Sequence, residues 1–103
     1  MMERINHSFL TPTTVDEASR IFKALADPTR IKILYLLSQE ECSVSHMTEV
    51  LEMTQSAVSH QLSTLRKLRL VKYRREGSTL YYTYDDEHVI TILQQVLSHI
   101  NCN

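Results

Sequence analysis

Apolar residues recur along this chain at two different periods, and the change from one to the other falls near residue 70. Val15, Ala18, Phe22 and Leu25 follow one another at helical spacing. Thr14-Val15-Asp16-Glu17 has the form of a capping box, a hydroxyl with a Glu three residues on, so the first helix is predicted from Thr14 to about Ala26. Asp27-Pro28 then restarts the chain, with Asp as N-cap and Pro at the first helical position. Ile31, Ile33, Leu34, Leu36 and Leu37 are apolar nearly all round, which makes the second helix the most buried one. Gln39-Glu40-Glu41-Cys42 reads as a loop, and Ser43 or Ser45 caps a short third helix through Val50 and Leu51. After a tight turn at Leu51-Glu52-Met53, Thr54 caps a fourth helix whose inward face is Ala57, Val58, Leu62, Leu65 and Leu68.

Beyond that helix the period shortens. Leu70, Val71 and Tyr73, then Leu80, Tyr81, Tyr82, Thr83 and Tyr84, suit strands, and the only glycine of the chain, Gly77, stands between them where a hairpin turn needs positive φ. Asp85-Asp86-Glu87 opens a last helix to about Asn101, its acids matching the positive end of the helix dipole. Two short helices joined by a turn, followed by a hairpin, predict a winged helix-turn-helix: mainly α with a β-hairpin wing (α+β). The expected organisation is an arm over residues 1–13 and one domain over residues 14–103. No internal repeat interrupts it.

Charge changes this picture from a fold to an interface. The net charge is −1, yet Met53 to Arg75 holds six basic residues (Arg66, Lys67, Arg69, Lys72, Arg74 and Arg75) and no acid, so the rest of the chain carries −7. A basic stripe on an acidic body is the footprint of a protein that docks one face on phosphates. The outward side of the fourth helix carries Gln55, Ser56, Ser59, His60, Ser63 and Arg66, mostly short polar side chains that let a backbone approach base edges. Gln55 is suited to a bidentate pair with adenine. Arg66, Lys67, Lys72, Arg74 and Arg75 are expected to meet phosphates. The predicted partner is double-stranded DNA.

Composition narrows the alternatives. One glycine in 103 residues leaves no phosphate-cradling loop. Ser59 and His60 are adjacent on a helix and point about 100° apart, which disqualifies them as a catalytic pair. Enzymatic activity is not expected. No apolar run approaches the ~20 residues of a membrane span, and residues 1–8 lack a signal-peptide pattern. Cys42 and Cys102 cannot form a disulfide framework, so a cytoplasmic location is expected.

Three motifs, in order, resemble the ArsR/SmtB family of metal-sensing repressors: Leu25-Ala26-Asp27-Pro28-Thr29-Arg30-Ile31-Lys32-Ile33-Leu34, then Gln55-Ser56-Ala57-Val58-Ser59-His60-Gln61-Leu62, then Leu70-Val71 with Arg74-Arg75-Glu76-Gly77. The resemblance runs from about Phe22 to His99. It implies a homodimer built mainly on the first and last helices, binding to an inverted-repeat operator, and release when an effector binds.

The last helix suggests the effector. His88 and His99 lie 11 residues apart on one face, a rise of ~16 Å, so they cannot share a metal within one chain. Two such helices packed head-to-tail about a two-fold axis near Leu93–Gln94 bring His88 of one beside His99 of the other, with Val89, Ile92, Leu93, Val96 and Ile100 as the apolar seam. Each end then offers Asp86, His88, His99 and Cys102, a tetrahedral set for Zn(II), with Co(II) or Cd(II) as alternatives. The spacing is similar to the interhelical zinc site of the zinc-responsive members, except that their last ligand is typically His or Glu. The family implies repression by the metal-free dimer, metal-efflux genes as its targets, and a relay from the free ring nitrogen of His99 to backbone near Arg69. His7 and His46 lack comparable partners along the sequence and stand as incidental. Ser43 occupies the place of the thiolate that cysteine-using relatives carry at the start of the third helix, so their second metal site is expected to be absent. The competing reading keeps the DNA function and makes Cys42 and Cys102 a thiol switch.

Overall fold

Residues 9–101 are described by the structure, a computed structural model. Two helices begin with the same two devices, a side-chain oxygen that accepts a backbone N–H and then a proline whose missing N–H is not needed in the first turn. Asp27 caps α2 (Pro28–Gln39), accepting from the N–H of Arg30 at 3.0 Å. Thr11 caps α1 (Pro12–Leu25), accepting from the N–H of Thr14 at 3.1 Å. The capping box expected at Thr14 is therefore not the start of the helix. The Thr11-Pro12 pair starts it earlier, and Pro12 and Thr13 lie in α1 rather than in the arm.

Ser43 caps α3 (Val44–Leu51) through the N–H of His46, and Thr54 caps α4 (Gln55–Lys67) through the N–H of Ala57, both at 3.1 Å. Between them Glu52 takes φ 54°, and the N–H of Met53 donates to the carbonyl of Thr48 at 3.2 Å. That left-handed residue reverses the chain and sets α3 against α4. A second left-handed residue, Arg69 at φ 61°, ends α4. Its N–H donates to Arg66 and that of Leu70 to Leu65, each at 2.9 Å, the pair of bonds that defines a Schellman cap. Glycine is the usual occupant of such positions, so both turns carry a conformational cost on the order of 1 kcal/mol.

β2 (Val71–Glu76) and β3 (Thr79–Tyr84) pair antiparallel from Val71 opposite Tyr84 to Glu76 opposite Thr79, and Gly77 turns the hairpin at φ 64°. The stretch expected as a loop from Gln39 to Cys42 ends differently. Cys42 and Ser43 form β1, which pairs with Tyr82 and Tyr81 and gives the sheet order β1-β3-β2. A two-residue strand has no alternation to read, and its partner lies far along the chain.

The core gathers around α2, whose Ile33, Leu34, Leu36 and Leu37 are buried. Met47 of α3, Val58, Leu62 and Leu65 of α4, Val71, Tyr82, and Ile90 and Leu93 of α5 (Glu87–Asn101) close on it. The two outer helices behave otherwise. In α1 only Ala24 is buried, with Ile21 and Leu25 half-buried, whereas Val15 and Phe22, also at the helical spacing, are 47% and 61% exposed. In α5, Leu93 belongs to the chain's own core rather than to an outer seam. The outward apolar stripe is Ile92, Val96 and Ile100, at 38%, 51% and 66% exposure. Both helices thus carry more apolar surface than one chain covers.

Candidate nucleic-acid interface and metal-ligand sets

Helix α4 is anchored from behind and bare in front. The Nε of Arg30, at the start of α2, donates to Gln61 Oε1 at 2.9 Å, which ties the helix to the core alongside its buried leucines. Gln55, Ser56, Ser59, His60, Ser63, Arg66 and Lys67 are all exposed. Gln55 and Ser59 open onto a groove of about 590 Å³ whose other walls are Ser43, Val44 and Ser45 and the wing residues Ser78 to Tyr82. One concave surface therefore runs from the α4 N-terminus to the hairpin.

The basic residues are not equivalent. Arg66 stacks its guanidinium over the Tyr73 ring at 4.4 Å, which steers it along the sheet while leaving it exposed. Lys67, Lys72 and Arg75 project from the surface. Arg74, expected among the phosphate contacts, has its charge met within the chain. Its Nε and one terminal nitrogen donate to the two carboxylate oxygens of Glu41 at 2.9 Å each, the other terminal nitrogen donates to Glu76 at 2.6 Å, and the group lies over Tyr81. The same fork holds the Glu41 carboxyl below the ordinary carboxylate range. Arg74 pins the wing to the β1 approach.

At the start of α5, Asp86 Oδ1 accepts from the His88 backbone N–H at 2.8 Å and lies 3.3 Å from His88 Nδ1. The carboxylate and imidazole foreseen as one half of a ligand set thus stand together, with the His88 side chain 94% exposed. His99 is exposed near the other end of the helix. Cys102 and His7 lie outside the described residues.

His46, without partners along the sequence, has them in space. Its Nε2 lies 3.1 Å from Glu40 Oε1, and with Cys42 Sγ these donor atoms all fall within 4.8 Å of one another. Sequence reasoning missed this because Glu40, Cys42 and His46 sit on three different elements: the C-cap of α2, β1 and the first turn of α3. Cys42 is 1% exposed, and burial, aided by the charges of Glu40 and Glu41, pushes its thiol up to about 11. A thiol in that state is a poor nucleophile.

Among the described residues no helix is long and apolar enough to cross a membrane. The helix pair α3–α4, the buried α2 and the hairpin beside them make a winged helix-turn-helix. The model of the bacterial regulatory protein arsR family matches residues 27–73. A transcriptional repressor SmtB homolog of Synechocystis is 40% identical over 90 residues, covering 84% of this chain and 68% of that protein. A cadmium resistance regulatory protein CadC homolog of Staphylococcus aureus is 40% identical over 84 residues, covering 81% and 69%. Among solved structures, the homodimeric winged helix-turn-helix DNA-binding domain Mb0332 of Mycobacterium bovis superposes with a TM-score of 0.80 at 30% identity, covering 97% of this chain and 94% of that one. The chain belongs to the arsR family of regulatory proteins. Its relatives are transcriptional regulators, not enzymes.

Proposed function

We propose that this protein is a metal-responsive transcriptional repressor, which binds operator DNA as a homodimer when metal-free and is released by Zn(II), with Co(II) or Cd(II) as alternatives. The observation that carries the reading is the Asp86–His88 pair: an exposed carboxylate and imidazole held together at one end of an α5 whose outward stripe is apolar. Ile92, Val96 and Ile100 on α5, with Val15 and Phe22 on α1, form the surface that a second copy covers. The Mycobacterium bovis domain is homodimeric, which supports that pairing.

In such a pair, α5 runs head-to-tail with its counterpart, and Asp86 and His88 of one copy meet His99 and Cys102 of the other. Carboxylate, imidazole and thiolate donors fit a tetrahedral divalent cation. The cation supplies a cross-link between the copies, and the chain's own residues do the rest. Gln55, Ser56, Ser59, His60 and Ser63 face the bases, and Arg66, Lys67, Lys72 and Arg75 the phosphates. Two reading helices must meet successive major grooves ~34 Å apart, so a small change in dimer geometry costs affinity. The family relay would run from His99 toward backbone near Arg69, at the cap that ends the reading helix.

A tenfold loss of DNA affinity needs a coupling of only ~1.4 kcal/mol, and DNA must weaken metal binding by the same factor. The test is operator binding by the purified dimer with and without Zn(II), Co(II), Ni(II) and Cd(II). Unchanged affinity with Zn(II) bound refutes the proposal.

A further inference from the structure

Three donors at the junction of α2, β1 and α3 stand together within a single chain, where α5 offers only halves. Cys42 Sγ forms the floor: the residue is 1% exposed and its Sγ lies 3.5 Å from the carbonyl of Glu40. Glu40 and His46 form the rim, with side chains 53% and 45% exposed and their donor atoms already 3.1 Å apart. A tetrahedral ion with bonds of ~2.0–2.3 Å holds its ligand atoms roughly 3.3–3.8 Å apart. The present separations, all within 4.8 Å, lie within about 1 Å of that range, and two of the three donors sit on solvent-facing side chains. The open side leaves a fourth position for water.

The set also differs from the one that cysteine-using relatives build. Ser43, at the thiolate position of those relatives, is occupied as the N-cap of α3. The thiolate here comes instead from the preceding residue, on the inward face of β1, and the remaining ligands come from the flanks.

We infer that Glu40, Cys42 and His46 form a second binding site for a divalent, borderline-soft cation of the Zn(II), Co(II) or Cd(II) class, complete within each chain and separate from α5. Sulfur, nitrogen and oxygen donors in one set select such ions over Mg(II) or Ca(II). As the metal–sulfur bond forms, the Cys42 proton leaves to solvent, and no oxidant or reductant is involved. Bound there, the ion joins the end of α2, the edge strand of the wing sheet and the first helix of the helix-turn-helix. It fixes the wing relative to α3 without touching the dimer axis.

The test uses the full chain carrying His88→Ala, His99→Ala and Cys102→Ser, so that Asp86 alone remains of the α5 ligand set and the outcome is independent of the proposal for α5. Titration with Co(II) should give one ion per chain, with a thiolate-to-metal absorption band in the near ultraviolet. Glu40→Gln and His46→Ala, both at exposed positions, should each weaken binding at least tenfold with circular dichroism unchanged, and Cys42→Ser should abolish the band. Absence of the band in the parent chain, or unchanged Co(II) affinity in both Glu40→Gln and His46→Ala, overturns the assignment.

Discussion

Helices α2 and α5 are both rich in aliphatic residues, yet they serve different partners. Every large aliphatic position of α2 except the half-buried Ile31 is buried inside the chain. On α5, Ile90 and Leu93 turn inward, while Ile92, Val96 and Ile100 stay outside. The outward stripe is the one that His88 and His99 bracket. Apolar surface that a chain leaves uncovered at the ends of its own fold, with exposed imidazoles set along it, marks where folding ends and assembly begins.

Breaking the α2 side should have the largest effect. Leu34→Ala removes a fully buried side chain and should cost about 2–5 kcal/mol per chain in urea denaturation at a fixed protein concentration. Val96→Asp, on the other side of the comparison, should leave the chain folded but shift sedimentation to the monomer, and operator affinity should fall more than tenfold because two half-sites are no longer bound together. Wild-type sedimentation would contradict the interface. His88→Ala should keep metal-free operator binding and lose the Zn(II) response, a change of at least ~1.4 kcal/mol in coupling on titration of the protein–DNA complex. The smallest effect belongs to the turn between α3 and α4. Glu52→Gly relieves the left-handed strain at φ 54° and should raise stability by roughly 0.5–1 kcal/mol, read as a higher thermal midpoint.

Much of this was legible in the sequence because it is written locally. Asp27-Pro28, Ser43 and Thr54 each announce a helix within four residues, and Gly77 announces the hairpin. Asp86 beside His88 is equally local. What was missed depends on contacts across elements. Reading Gln39 to Cys42 as a loop hid β1, whose pairing with Tyr81 and Tyr82 is distant in sequence, and with it the turn of the chain that sets Glu40 and Cys42 beside His46. Similarly, periodicity marked Val15, Phe22 and Leu93 as apolar without saying which partner each would meet, since a helix with two apolar stripes has no single inward face. Arg74 counted as free charge until its bonds to Glu41, on the approach to β1, became visible.

The central claim, that α5 of one copy completes the ligand set of the other, is tested most directly by complementation. Chains carrying His88→Ala and chains carrying His99→Ala, both also His46→Ala, are unfolded together, refolded and titrated with Zn(II). Neither variant alone has an intact end. A head-to-tail pair of unlike chains rebuilds one of its two sites, so the equimolar mixture should regain about a quarter of the capacity of the His46→Ala parent. A mixture that binds no more Zn(II) than its separate components would contradict the shared site.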